Sequence, residues 1–206
     1  GPPREMQPMF EQLVRPGLAA RTGARRVFRR VLKVAGRGES HVEEVAQPIY
    51  STFRAGGEPV QTTILASPGI IELHLSGRGE DGAAIERDLD DGVRKLAAAI
   101  GPPVFSVDGR SIEQVVADLL IARGVTLAVA ESCTGGLVSG RLTDVAGSSA
   151  WFRGGVVAYA NDVKYQSLGV PEALVAAHGP VSEPVGRAMA EGVRASLGAG
   201  VGIGVT

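Results

Sequence analysis

The chain has 206 residues, 44% of them hydrophobic, and a formal net charge of −1. Domains commonly contain ~100–150 residues, so the length is sufficient for one or two hydrophobic cores. The balanced charge excludes a general attraction to nucleic acid or to anionic membranes, and no apolar stretch approaches the ~20 residues that span a bilayer. The single cysteine excludes an internal disulfide, and we expect a cytoplasmic protein.

The two ends of the sequence have the character of cut ends. Residues 1–26 begin without an initiator Met or an export signal, and they contain an amphipathic run followed by several arginines. These arginines are interpreted as a solvated face beside a strand rather than as a phosphate site. The segment is too short to fold alone, so we expect the tail of a preceding domain. Residues 199–206 predict a strand that stops as it reaches the next loop.

Residues 27–106 predict a small α+β domain. Its elements follow the order β-α-β-β-α-β of a split βαβ unit. The four strands are predicted at residues 27–34, 61–66, 70–76 and 104–107. The first helix is predicted to begin at a capping box, Ser40 to Glu43, with Pro48 bending or shortening it. The second helix is predicted from apolar residues at helical spacing, namely Ile85, Leu89, Val93 and Leu96.

One short motif in this domain raises the question of RNA binding. Gly79-Glu80-Asp81-Gly82 is a G-x-x-G sequence, the motif with which a KH module clamps backbone phosphates. Its two carboxylates repel phosphate, and it follows a strand instead of joining two helices. We therefore interpret the domain as a packing or spacer unit and do not expect a nucleic-acid partner. His41 and His74 lack ligand partners at useful spacing, so no metal site is predicted.

From residue 107 onward, strands alternate with helices. Ser111 and Gln114 form a second capping box, and Gly124 is placed to end the helix that follows. Strands are predicted at residues 126–131, 155–160 and 201–205, and helices at residues 135–145, 162–168 and after Ser182. The predicted fold class is α/β, with a layered C-terminal domain around a mostly parallel sheet. Ligands of such sheets bind at the carboxyl ends of the strands.

The first of these strand ends carries Ser132, Cys133 and Thr134, followed by Gly135 and Gly136. The glycines predict accessible backbone N–H groups at a helix start, where a phosphate or an oxyanion is favoured. Ser132 and Cys133 are both candidate nucleophiles, and strand alternation places them on opposite sides. Because no suitably placed histidine is evident, we interpret Cys133 as a small buried structural residue.

The other strand ends add Tyr159, Lys164 and Thr206. Lys164 is predicted in the first turn of a short helix, where the helix dipole and partial burial disfavour an ammonium group. Both effects favour a general base in a Ser–Lys pair, and a solvated surface lysine is the alternative. Tyr159 is a candidate for relaying a proton or orienting the pair. His178 is interpreted as a helix-end or loop residue.

Four segments of the second half resemble the CinA (competence/damage-inducible protein A) family. They are the residues from Ala130 to Gly136, from Asp144 to Phe152, from Tyr159 to Lys164 and from His178 to Pro184. The resemblance covers residues 108–206 in register. It implies that residues 107–206 are an incomplete CinA C-terminal domain, that residues 27–106 are the KH-like middle domain, and that residues 1–26 end a molybdopterin-binding-like domain.

The resemblance implies a nicotinamide-nucleotide amidohydrolase, which hydrolyses the amide of nicotinamide mononucleotide to nicotinate mononucleotide and ammonia in pyridine nucleotide salvage. It makes Ser132 the nucleophile, Lys164 the base and Tyr159 an assisting group. The substrate-binding residues that it implies are Thr134, Gly135, Gly136 and Thr206. It implies no cofactor, no metal and no membrane, a small-molecule pyridine nucleotide as partner, and it allows for a homo-oligomer.

Two expectations complete this interpretation. The family continues past Thr206 with a Gly-rich loop, a further strand and helix, and an arginine for the phosphate, so we expect the fragment to be impaired in activity. The alternative function is a non-catalytic nucleotide-binding or scaffolding protein that holds a phosphorylated ligand through residues 134–136. The distance from Ser132 Oγ to Lys164 Nζ tests the Ser–Lys pair, since hydrogen-bond reach is ~3 Å.

Overall fold

The computed structural model describes residues 2–206, so Gly1 lies outside the described residues. The chain divides into two compact units, with the boundary between Arg110 and Ser111. Within residues 2–206, no helix combines the length and the apolar character needed to cross a bilayer. The assignment of residues 1–26, 27–106 and 107–206 to three particular domains stays a prediction.

The first unit begins with a helical segment. It consists of α1 (Pro3–Met9), a π-helical stretch (Phe10–Val14) and α2 (Arg15–Thr22). The amphipathic run predicted here is thus helical, and its large apolar side chains are exposed. These side chains are Met6, Met9, Phe10, Leu13, Val14 and Leu18.

A four-stranded antiparallel sheet forms the body of the first unit. Its elements are β1 (Arg26–Ala35), α3 (Glu39–Tyr50), β2 (Arg54–Ala55), β3 (Glu58–Pro59), β4 (Gln61–Ser67), β5 (Ile70–Gly79), α4 (Gly82–Ile100) and β6 (Val104–Ser106). The strand order is β4-β5-β1-β6, and β2 and β3 form a separate hairpin. Leu32, Leu73 and Leu75 of the sheet pack with Leu89 and Leu96 of α4 in one buried cluster. The predicted α+β split βαβ architecture is confirmed.

One local prediction in this unit is wrong in detail. α3 has Gly38 as its N-cap and no side-chain cap, so the capping box expected at Ser40 does not form. Pro48 lies in the last turn of α3, which ends at Tyr50. The G-x-x-G segment is a strand-to-helix turn, in which the Asp81 carboxylate accepts a hydrogen bond of 3.0 Å from the Ala84 amide. This bond caps the helix start and gives the loop a structural role.

The second unit is an α/β layer around a three-stranded sheet, as predicted. Its elements are α5 (Ile112–Arg123), β7 (Leu127–Glu131), α6 (Leu137–Thr143), a 3₁₀ turn (Ser148–Ala150), β8 (Phe152–Val157), α7 (Asn161–Leu168), α8 (Glu172–His178), α9 (Glu183–Ser196) and β9 (Val201–Val205). The order is β8-β7-β9, and both strand pairings are parallel. The capping box of Ser111 and Gln114 is present, and Gly124 ends α5 in the left-handed region.

The central strand β7 positions the candidate site. All five of its residues are buried, because β8 and β9 flank it and helices cover the sheet. The chain leaves β7 for β8 on one side and later returns for β9 on the other side. Such a reversal of strand order opens a crevice at the carboxyl ends of the strands, where ligands of open α/β sheets bind.

The glycines of this sheet allow helices to approach it closely. A Cβ added at Gly204 would lie 2.0 Å from the carbonyl oxygen of Gly186 in α9, and a Cβ at Gly155 would lie 2.0 Å from Ser139 Oγ in α6. β8 runs from Phe152 to Val157, whereas residues 155–160 were predicted. Pairing with β7 extends the strand back through Gly154 to Phe152 despite the low strand propensity of glycine.

Candidate active site

Ser132 lies in the tight turn that joins β7 to α6. Its amide donates a hydrogen bond of 2.8 Å to the carbonyl of Val205 in β9, and its own carbonyl accepts one of 3.1 Å from the Gly135 amide. Gly135 and Gly136 have φ angles of 58° and 99°, which glycine adopts without strain. These contacts bury Ser132 to 8% exposure and fix its backbone at the end of the sheet.

Lys164 belongs to α7, which follows β8. The carbonyl of Glu131 accepts a hydrogen bond of 2.7 Å from the Ala158 amide, so the chain that enters α7 is tied to the end of β7. Leu168 and Val163 anchor α7 in the same apolar cluster as Met189 of α9. The lysine is consequently only 2% exposed, a rare burial for this residue type unless a partner is present.

The two side chains meet. Lys164 Nζ lies 3.0 Å from Ser132 Oγ, and the bond joins two buried groups that are 32 residues apart in sequence. At this distance a proton can pass between the hydroxyl and the amine, the geometry that a general base and its nucleophile require. The structure thus brings together the residues that were predicted as nucleophile and base.

Sequence reasoning missed Glu131, the last residue of β7. Its carboxylate accepts hydrogen bonds from the amides of Gly136 (3.0 Å), Val138 (3.0 Å) and Ser139 (2.8 Å), and from the Ser139 hydroxyl (2.6 Å). Amides at the start of α6, which were expected to bind a phosphate or an oxyanion, therefore bind this internal carboxylate. A single charged residue at the end of an otherwise apolar strand was the available signal.

The charge of Glu131 is stabilised by these contacts. Burial alone would raise the pKa of its carboxyl group, but the hydrogen bonds from the Ser139 hydroxyl and from the amides of Ser139 and Val138 outweigh burial and lower the pKa to about 2. The carboxylate therefore stays ionised at neutral pH. Its negative charge also suits the positive end of the α6 dipole.

A pH dependence of stability follows from this carboxylate. The folded-state pKa of Glu131 is about 2 and lies below the ordinary value of 4.5. Its contribution to the free energy of unfolding is therefore fully present above pH 4.5 and is lost as pH falls towards 2. At ~1.36 kcal/mol per unit the contribution amounts to about 3 kcal/mol. We expect the difference in unfolding free energy between wild type and Glu131→Gln, measured by denaturant titration, to narrow over this range. A difference that is constant with pH would contradict this assignment.

Cys133 and Thr134, the two residues after Ser132, differ in how far their side chains are exposed. Cys133 is exposed, so the expectation of a small buried cysteine is wrong. The Thr134 hydroxyl is buried and has no hydrogen-bond partner among the described residues. Among the described residues, the amides of Cys133 and Thr134 make no hydrogen bond. These two amides are therefore free backbone donors directly after Ser132.

The remaining predicted residues lie further from the pair. Tyr159 follows the buried Ala158 at the open side of the strand ends and is 75% exposed, and its phenol makes no hydrogen bond within residues 2–206. The Thr206 hydroxyl donates a hydrogen bond of 2.6 Å to the carbonyl of Pro180. His178 is the final residue of α8, in agreement with a helix-end position.

A cavity adjoins Thr206 and is lined by residues of α9 and of the end of β9. Its volume is about 670 Å³, and its lining includes Thr206, Gly204, Glu183 and Arg187, but neither Ser132 nor Lys164. Among the described residues, no group of three or more His, Cys, Asp or Glu side chains is clustered as a metal site.

Comparison with known proteins shows which family the sequence resembles. The model of the "CinA C-terminal domain" matches residues 109–206. A "CinA-like protein" of Frankia casuarinae is 44% identical over 207 residues, covering 100% of this chain and 48% of the relative. A "CinA-like protein" of Acidobacterium capsulatum is 40% identical over 206 residues, covering 100% and 49%.

A crystal structure of the competence damage-inducible protein A from Klebsiella pneumoniae is 39% identical, with a TM-score of 0.42, covering 42% of this chain and 54% of that one. The chain spans about half the length of the curated relatives that it matches. Residues 109–206 match the CinA C-terminal domain, and the whole chain is similar in sequence to about half the length of CinA-like relatives.

Proposed function

We propose that the second unit is the catalytic part of an amidohydrolase that converts nicotinamide mononucleotide to nicotinate mononucleotide and ammonia. The observation that carries the proposal is the 3.0 Å hydrogen bond between the buried side chains of Ser132 and Lys164. A buried lysine paired with a serine at the carboxyl edge of a parallel sheet is costly to maintain as a purely structural feature, because an ammonium group loses its hydration there. The resemblance to the CinA family supplies the substrate.

The proposed reaction proceeds through an ester. Lys164 in its neutral form takes the proton of the Ser132 hydroxyl, and Oγ attacks the carboxamide carbon of the substrate. Collapse of the tetrahedral intermediate breaks the C–N bond, and Lys164 returns the proton to the leaving nitrogen, which departs as ammonia. Lys164 then activates a water molecule, whose attack on the ester releases the carboxylate and restores Ser132.

The oxyanion of the intermediate needs hydrogen-bond donors close to Ser132. Most amides at the start of α6 already bind Glu131. We therefore assign the role to the amides of Cys133 and Thr134, which follow the nucleophile directly. This position corresponds to the donor after the serine in nucleophile-elbow hydrolases. Tyr159 keeps its proposed assisting role as an exposed group at the open side of the site.

The alternative function, nucleotide binding without catalysis, has less support. It requires the turn at residues 134–136 to hold a phosphate, but the Gly136 amide is bonded to Glu131 at 3.0 Å. The nearby carboxylate would also repel a phosphate. The buried Ser–Lys pair would have no role in such a protein.

Turnover with a trap for the acyl-enzyme distinguishes the two functions. We expect the natural full-length protein to release ammonia from nicotinamide mononucleotide and, with added hydroxylamine, to form the corresponding hydroxamate at the expense of the acid. Ammonia would be measured enzymatically and the nucleotides by chromatography, with nicotinate mononucleotide as the control that lacks an amide. Calorimetric binding of the amide nucleotide with neither product would support the alternative instead.

A further inference from the structure

Glu131 is held by an unusually complete set of donors for a buried carboxylate. The residue is fully buried, and its backbone lies between Val157 of β8 and Val205 of β9 in the parallel sheet. Three amides and one hydroxyl donate to its two oxygens, at 2.6–3.0 Å. Both ends of the short turn between β7 and α6 are thereby fastened through the same residue.

The turn so fastened is the one that carries Ser132. At its start, the Glu131 main chain is fixed by strand pairing. At its end, the Glu131 side chain holds the amides of Gly136, Val138 and Ser139. Only the turn itself, residues 132–135, lies between these anchors. A displacement of about 1 Å in a reacting group can lower a rate about 10²-fold, so this fastening bears directly on the alignment of Ser132 with Lys164.

Gly155 of the neighbouring strand β8 makes room for the hydrogen bond between Ser139 and Glu131. Gly155 of β8 lies beside Ser139, and a Cβ at this position would come within 2.0 Å of Ser139 Oγ. The absence of a side chain at Gly155 therefore gives Ser139 the space in which its hydroxyl reaches Glu131 at 2.6 Å. The neighbouring strand is shaped around the carboxylate and its donors.

We propose that Glu131 is the positioning residue of the Ser–Lys site: its carboxylate occupies the donors at the start of α6 and holds Ser132 within reach of Lys164. It touches neither substrate nor the reacting atoms. By filling the helix start it leaves the amides of Cys133 and Thr134 as donors for the oxyanion. This inference rests on the proposed function, since it assigns Glu131 a role in that same reaction.

The test compares Glu131→Gln with wild type in the natural full-length protein. Glutamine keeps the shape of the side chain but loses the charge and replaces one acceptor oxygen by a donor. Its NH₂ group faces donors, so part of the set is left unpaired. We expect kcat for nicotinamide mononucleotide to fall about 10²-fold while KM changes by less than about 3-fold, because alignment and not binding is lost.

A second measurement is independent of the substrate. A fluorophosphonate probe phosphonylates a serine oxygen with release of fluoride, and its rate constant reports the reactivity of Ser132 directly. We expect the labelling rate of Glu131→Gln to fall in proportion to kcat. If wild type is labelled but releases no ammonia from nicotinamide mononucleotide, the proposed reaction is wrong, while the labelling rates still decide the role of Glu131.

Two further variants complete the test. One provides a second probe in case Glu131→Gln does not fold, and the other controls for the general effect of removing a carboxylate. Ser139→Ala removes one of the four donors, and we expect a smaller loss, about 10-fold in both kcat and labelling rate. Glu172→Gln replaces an exposed carboxylate at the start of α8 and should leave both rates unchanged. Folded Glu131→Gln and Ser139→Ala proteins with wild-type kcat and labelling rates would overturn the proposal, as would losses that appear mainly in KM.

Discussion

Replacing Ser132 by Ala in the natural full-length protein is expected to lower kcat for nicotinamide mononucleotide by about 10⁴-fold or more. Removal of an activated nucleophile has effects of this order in serine hydrolases, where the residual rate comes from binding and oxyanion stabilisation alone. Ser132 is only 8% exposed, and alanine removes a single oxygen atom, so the fold should tolerate the smaller side chain. Ammonia release and hydroxamate formation under saturating substrate measure the loss.

The matched control for this variant is Ser149→Ala, an exposed serine in the 3₁₀ turn of the same unit. It should retain the wild-type rate. Activity that survives in Ser132→Ala but disappears on thiol alkylation would assign the nucleophile to the exposed Cys133. Full activity that resists alkylation would remove the Ser–Lys mechanism altogether.

Replacing Lys164 by Met is expected to lower kcat by about 10³- to 10⁴-fold, since Ser132 then lacks the base that takes its proton. Methionine matches the unbranched stem of the lysine, so the buried site stays filled. The double variant with Ser132→Ala should be no slower than the slower single variant, because residues that act as a unit have non-additive effects. Single-turnover kinetics separate the acylation step from product release.

Lys164→Arg distinguishes a base from a buried positive charge. A guanidinium stays protonated, so it preserves the charge but cannot accept the serine proton. We therefore expect no recovery of activity relative to Lys164→Met. Lys95→Met, which alters a surface lysine paired with Asp91, serves as the control for the loss of a lysine. Recovery of activity in Lys164→Arg would show that the charge alone is required.

The sequence was sufficient to predict the architecture where patterns are regular. Strand–helix alternation after Ser111 predicted the parallel sheet, and the bounds of β9, Val201–Val205, agree with the prediction. The pairing of Ser132 with Lys164 was also accessible, because side chains that follow adjacent parallel strands meet at one edge of the sheet. Tyr159 was predicted by the same rule, yet this residue is 75% exposed.

The role of Glu131 was not predicted, because its side chain binds amides of the turn that follows it in the chain. The Thr134–Gly136 turn has the composition of an anion site, and it does bind an anion, but the anion is Glu131 from the preceding strand. Composition alone cannot distinguish a bound ligand from such an internal carboxylate. The capping box at Ser40 does not form because α3 begins two residues earlier than the motif suggests, with Gly38 instead of Ser40 as the N-cap.

The separation of Ser132 and Lys164 by 32 residues has a consequence for when the chain becomes reactive. One group follows the central strand and the other follows an edge strand, so neither is activated until those strands have paired. A nascent or partly denatured copy carries an ordinary alcohol and an ordinary surface amine. Under the proposed mechanism, reactivity towards amides is thus acquired only when the sheet is complete.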